Sequence, residues 1–188
     1  MAQAKTLSQA ELDQVLDYVS TKKYALRDRA IILTSFLAGL RVAEIASLTM
    51  GDVVNPDGTI KNEIRLSAAQ TKGKYPRTVF VSQRLQTELA NYLTTRHAKG
   101  ADIPFFHTDH RLRFSPNGLC VWFHQLYKNV GISGGSSHSG RKFFITTLAN
   151  KGIGVRILAS LAGHRSIAVT QRYIDVNDEQ KRNAVELI

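Results

Sequence analysis

Arg41, Lys72, His138, Arg141, His164 and Tyr173 sit awkwardly in the hydrophobic pattern of this 188-residue chain. Arg41 follows Gly39-Leu40 between apolar runs, a poor place for a charge without a partner. Lys72 and Lys74 flank Gly73 in a polar stretch between two β-like runs. His138 and Arg141 are spaced i, i+3, which puts them on one face if they open a helix. His164 follows Gly163, a glycine placed to stop a helix, and Tyr173 lies nine residues further on. Brought together, two arginines, a lysine, two histidines and a tyrosine would form a cationic pocket around one phenol.

That pocket would suit the breakage of a phosphodiester. The transition state puts five oxygens around phosphorus, and charge builds on the non-bridging ones. Metal enzymes meet that charge with divalent cations held by carboxylates. Here the sequence has no Asp/Glu cluster at ligand-like spacing, so no metal or other cofactor is expected and two guanidiniums would serve. Arginine suits the task because its planar fork holds two phosphate oxygens and stays charged. The nucleophile is then a hydroxyl, and tyrosine is a residue that forms covalent intermediates. Its ordinary pKa near ~10 means that neighbouring cations or a histidine must help it ionise. The departing 5′ oxygen needs a proton, which a lysine on a turn can deliver.

Taken singly, each residue has a bland reading. Arg41 reads as a helix-end partner of Glu44, Lys72 and Lys74 as solvated turn lysines, His164 as a surface residue after a cap, and Tyr173 as half-buried packing. None of these readings gives a reason for all six to occur in this order.

The elements that must position them follow from local pattern. Ser8-Gln9-Ala10-Glu11 is a capping box for a helix through about Val19. A second helix runs from about Ala25 to Ala38, with Gly39 as its stop. A short helix is expected from Val42 to Leu48, then turn chemistry at Asn55-Pro56-Asp57-Gly58. Residues 63–67 and 77–82 read as strands. Ser82 caps a helix through about Arg96. Residues 99–114 are irregular, anchored by Phe105-Phe106. Ser115-Pro116 opens a helix ending near Gly131. "SGGSS" at 133–137 reads as a flexible loop that delivers His138 and Arg141 to the next helix, which ends near Gly152. Another helix covers about Val155 to Ala162, and Asn177 caps a last one with an apolar face of Ala184, Val185, Leu187 and Ile188. The fold class expected is mainly α with a small antiparallel β-sheet (α+β).

Charge points the same way. The net charge is +10, and residues 1–65, with eight Lys/Arg and eight Asp/Glu, contribute nothing to it. Residues 66–188 carry 17 Lys/Arg against seven Asp/Glu, a one-sided field that suits a polyanion such as nucleic acid. The longest apolar run, Ala30 to Leu40, is broken by Thr34 and Ser35 and falls short of the roughly 20 residues a membrane span needs. "MAQAKTLSQAEL" has no signal-peptide core. Cys120 is the single cysteine, which excludes an internal disulfide. A cytoplasmic protein is expected, with no membrane partner.

"GLRVAEIASL" (39–48), "TKGK" (71–74), "HSGR" (138–141), "LAGH" (161–164) and Tyr173 together resemble, in order and spacing, the boxes of the tyrosine recombinases, the phage-integrase and Xer-like group. The resemblance covers essentially the whole chain as a single catalytic domain, 1–188. It implies that Arg41 and Arg141 clamp the scissile phosphate and that Glu44 supports the site. It also implies that Lys72 is the general acid, His138 assists proton transfer, His164 hydrogen-bonds a phosphate oxygen and Tyr173 attacks. The family reaction forms a 3′-phosphotyrosyl link and frees a 5′-hydroxyl, with neither metal nor ATP. The implied partner is double-stranded DNA, on which the protein would self-associate as a dimer or tetramer. Lys74, Arg111, Arg113, Lys142, Arg165 and Arg172 read as DNA-backbone contacts. His97, His107, His110 and His124 match no box and read as structural.

Two departures stand out. The second box usually carries a leucine where this chain has Gly140, which is expected to loosen a packing contact while keeping the His-to-Arg spacing. Relatives generally carry a separate helical DNA-clamp domain ahead of the first helix, and it is expected to be absent here. Two other functions fit the same residues: a type IB topoisomerase-like relaxing enzyme, and a DNA-binding regulator without activity. A regulator has no use for the nucleophile.

Overall fold

The computed structural model describes residues 4–96, 100–110, 113–174, 181, 182, 185 and 186. Among these the order is α1 (Gln9–Ser20), α2 (Ala25–Ala38), α3 (Val42–Ser47), α4 (Met50–Val53), β1 (Glu63–Leu66), β2 (Arg77–Phe80), α5 (Gln83–Leu93), α6 (Pro116–Val130), α7 (Ser139–Asn150), α8 (Val155–Ala162) and α9 (Ile167–Gln171). The last helix expected from Asn177 lies almost wholly outside the described residues.

The capping box at Ser8 forms as read: its hydroxyl accepts from Glu11 N–H at 3.2 Å, and its N–H donates to the Glu11 carboxylate at 2.9 Å. Leu12, Val15, Leu16 and Val19 then bury one face of α1. α2 is the central helix, and beyond its charged first turns it is buried on nearly every side. Ala30 to Leu33 and Phe36 are at most 1% exposed, and α1, α5 and α7 pack around it. β1 and β2 pair antiparallel, with Glu63 opposite Phe80 and Leu66 opposite Arg77. Ile64, Leu66 and Val79 face the core while Arg65 and Phe80 face out, the alternation of a sheet covered on one side.

Three local readings are corrected. α5 stops at Leu93 rather than near Arg96, because the Thr94 and Thr95 hydroxyls donate to the Asn91 and Tyr92 carbonyls and compete with a further helical turn. α4 and α9 were not expected from the sequence; α4 is one turn opened by a Thr49–Asp52 capping box. The "SGGSS" loop is not slack. Ser136 N–H donates to Ser139 Oγ, His138 N–H donates to Ser136 Oγ, and Lys5 N–H donates to Gly134 O. Phe105 and Phe106 anchor their irregular segment as expected, both packing on Tyr92, whose hydroxyl donates to Phe105 O at 3.0 Å.

The position of Gly140 is tight, not loosened. A Cβ there would lie 2.4 Å from Ser35 Oγ and 2.6 Å from Phe36 Cδ2, so α7 and α2 close directly onto one another. Helix propensity alone would make Gly140→Ala stabilising by about 1 kcal/mol. The clash reverses the sign: urea unfolding is expected to show a loss of about 1–3 kcal/mol. An unchanged or raised midpoint would show that the two helices have room to part.

Candidate active site

The C-terminus of α8 organises the site. The last carbonyls of a helix lack intrahelical partners and carry partial negative charge. Here three successive carbonyls are taken by three different arginines. Arg77 Nη1 donates to Leu161 O at 3.0 Å, Arg141 Nη2 to Ala162 O, and Arg41 Nη2 to Gly163 O at 3.5 Å. Gly163 permits this packing. Its φ is +61°, a conformation other residues rarely adopt, and a Cβ there would lie 2.5 Å from Arg77 Cδ.

Arg141, in the first turn of α7, is 4% exposed. A buried guanidinium costs several kcal/mol unless its donors are met. Its Nη1 reaches Gly39 O at 2.6 Å, the carbonyl of the C-cap residue of α2, so the negative ends of two helices, α2 and α8, hold one cation. Burial first, then the charge of Arg41, pushes its pKa down to about 9, which still leaves it protonated at neutral pH.

Glu44 is the anion of the cluster and is fully buried. Arg41 N–H reaches Glu44 Oε2 at 2.7 Å and Arg41 Nη1 reaches Oε1 at 3.0 Å. Arg77 Nη2 reaches Oε2 at 2.8 Å. Burial alone would raise the carboxyl's pKa, but the hydrogen bonds and charge of Arg77, with those of Arg41, hold it below the usual carboxylate range. Arg77 was missed in the sequence. Its only signal was its place as the first residue of the strand expected after "TKGK". Pairing with Leu66 turns it to Glu44. Arg41 does pair with Glu44, as the bland reading held, and it lines the cavity as well.

Arg41, Lys72, His138, Arg141, His164 and Tyr173 all line one cavity of about 360 Å³. Lys72 comes to it on the exposed turn between β1 and β2, and His138 from the residue before α7. Tyr173 comes from the turn after α9. Its N–H donates to Thr170 O at 2.9 Å, and its carbonyl accepts from the Thr146 hydroxyl of α7 at 3.4 Å. Its half-buried ring stacks on His164, centroids 5.9 Å apart and planes 22° from parallel. An adjoining cavity of about 310 Å³ shares Arg41, Lys72 and His164 with the first.

Both histidines are held towards neutrality. Loss of water around His138, then the charges of Arg141, Arg41 and Lys72, lower its pKa. For His164, burial first and then Arg141, Arg41 and Arg77 bring it down to about 4. An unfolded histidine takes its proton near ~6.5. Between that pH and about 4 the unfolded chain binds the extra proton, so this group's contribution to stability falls as pH drops through that window. NMR titration of the chain alone is expected to show the His164 ring neutral down to about pH 5. A midpoint near ~6.5 would mean that the ring is open to water and the arginines are not gathered around it.

The residues read as backbone contacts divide. Lys142 lines the main cavity and donates to Ala4 O at 3.1 Å. Arg165 lies over the Tyr75 ring, 4.4 Å from its centroid, beside the adjoining cavity. Lys74 is exposed on the same turn as Lys72, with a left-handed φ of +53°; Arg172 is exposed beyond α9. Arg113 lines neither of these cavities; its guanidinium donates to the Ser47 carbonyl at the end of α3. Arg111 lies outside the described residues. Among the described residues no three His, Cys, Asp or Glu side chains form a group able to hold a metal ion, and no helix is long and apolar enough to cross a membrane.

The helices and the small sheet form the fold of solved tyrosine recombinase catalytic domains. The chain belongs to the phage integrase family, whose model matches residues 5–180. It is 31% identical over 189 residues to the tyrosine recombinase XerA of Pyrococcus furiosus, covering 97% of this chain and 61% of that protein. It thus spans about three fifths of that relative's length. A crystal structure of XerA recombinase superposes with a TM-score of 0.78 at 25% identity, over 100% of this chain and 66% of the other. The catalytic domain of bacteriophage HP1 integrase has the same fold, with a TM-score of 0.70 at 20% identity over 98% of this chain and 95% of that domain.

Proposed function

We propose that this chain cleaves and rejoins double-stranded DNA at specific sites through a 3′-phosphotyrosyl intermediate, as a recombinase needing neither metal nor ATP. One observation carries the reading: six side chains from five segments line a single cavity in which Tyr173 stacks on His164 beside the arginine cluster. Arg41 and Arg141 hold the non-bridging oxygens of the scissile phosphate, pre-positioned because helix carbonyls and Glu44 already fix them. Neutral His138 assists removal of the Tyr173 proton. The phenolic oxygen attacks phosphorus, the bond to the 5′ oxygen breaks, and Lys72 protonates that leaving oxygen. The phosphodiester is exchanged for a phosphotyrosyl ester of similar energy, so the freed 5′-hydroxyl can reverse the step. Protomers assemble as a dimer or tetramer on DNA in the cytoplasm, and Lys74, Lys142, Arg165 and Arg172 contact the backbone.

The test uses a pool of nicked duplexes with randomised sequence around the nick, in EDTA. A covalent adduct on a denaturing gel, with the nucleotide mapped to Tyr173 by mass spectrometry, is the expected result. No adduct from the pool, or attachment at another residue, overturns the reading. Relaxation of a supercoiled plasmid without joining of two selected sites would instead point to a topoisomerase-like enzyme.

A further inference from the structure

Thr170 is fully buried, and its hydroxyl lies 2.9 Å from His164 Nδ1. A buried hydroxyl places its hydrogen on an acceptor, and the imidazole nitrogen is the acceptor this structure puts there. When Thr170 donates, Nδ1 carries no hydrogen, and a neutral ring must carry its hydrogen on Nε2. Nδ1 faces the buried threonine, so Nε2 is the nitrogen His164 can offer to the cavity it lines. Thr170 also reaches the tyrosine, since its carbonyl accepts the Tyr173 N–H at 2.9 Å. One residue therefore touches both partners of the stacked pair, the histidine by side chain and the tyrosine by main chain.

We infer that Thr170 is a positioning residue for strand cleavage: it fixes His164 as the Nε2–H tautomer, aimed to donate to a non-bridging oxygen of the phosphate that Tyr173 attacks. The reaction half of this rests on the function proposed above; the tautomer half does not. Without the threonine the ring gains both tautomers and rotational freedom. The form that presents a bare Nε2 lone pair to a phosphate oxygen repels it.

Two measurements test this. Histidine ¹⁵N NMR of the chain without DNA is expected to show His164 as the Nε2–H tautomer, unchanged in Thr170→Ser and mixed in Thr170→Val. In single-turnover adduct formation on a nicked duplex selected from the pool, Thr170→Val is expected to be about 10–100-fold slower, by analogy with the loss when a metal-bound imidazole's orienting partner is removed. Duplex affinity should stay within about 2-fold and Thr170→Ser within about 3-fold, because a hydroxyl is retained. In a His164→Ala background, Thr170→Val should add no more than about 2-fold, since its effect passes through the ring. An Nδ1–H tautomer in the parent chain overturns the inference, as does a Thr170→Val loss that persists undiminished without His164. Should Thr170→Val not fold, the parent tautomer and the Thr170→Ser rate still decide between these outcomes. An Nε2–H tautomer in a parent chain that forms no adduct would sink the proposed reaction and leave the tautomer assignment standing.

Discussion

Tyr173→Phe is expected to abolish the covalent protein–DNA adduct, a loss of about 10⁴-fold or more, the scale seen when a catalytic nucleophile is removed. The substitution deletes one oxygen and little else. The ring can keep its stack on His164, and both backbone bonds, to Thr170 and Thr146, involve main-chain atoms that phenylalanine also has. Stability should therefore change by less than about 1 kcal/mol in urea unfolding. Duplex binding should be retained within about 2-fold, because the cations that meet phosphate are untouched. The result is decisive because a rival phenol stands nearby. Tyr75 is 55% exposed and lines the adjoining cavity beside Lys72. If the Tyr173→Phe variant still forms the adduct and Tyr75→Phe removes it, the nucleophile sits on the β1–β2 turn and the roles proposed for this site are wrong.

Arg141→Lys is expected to leave a folded chain whose adduct formation is slower by about 10²–10³-fold, the usual cost of removing one pre-positioned donor from a transition-state charge. Charge is conserved, so a purely electrostatic role would predict a small effect. The geometry says otherwise. The guanidinium spans the ends of two helices, taking Gly39 O with one nitrogen and Ala162 O with another. A single ammonium cannot bridge both and still point a donor into the cavity. One buried carbonyl then loses its partner, at about 1–3 kcal/mol. The slope of log affinity against log salt should fall by about 1 if the phosphate contact is lost too. Wild-type rates in the lysine variant would show that position 141 supplies charge and not direction.

Much of this site was legible because family chemistry is written in residue type and spacing. Glycine stops at 39 and 163, the i, i+3 pair at 138 and 141, and the nine-residue step from His164 to Tyr173 are local features. Helix boundaries for α1, α2, α6 and α8 followed from caps and apolar periodicity, which act within a few residues. The two strands were read from alternation and a polar turn, and the charge asymmetry from counting.

What the chain order could not disclose is how those pieces are held. Arg77 looked like a strand-end cation, yet it is half of the buried pairing that keeps Glu44 ionised. Thr170 drew no notice in a stretch where no helix was expected, yet it holds His164. Gly140 read as a lost contact and proved to be a point of closest approach between α2 and α7. Each of these depends on a partner outside its own helix or strand, chosen by packing. A guanidinium or a hydroxyl carries no mark of its acceptor until burial removes water and leaves that acceptor as the one within reach.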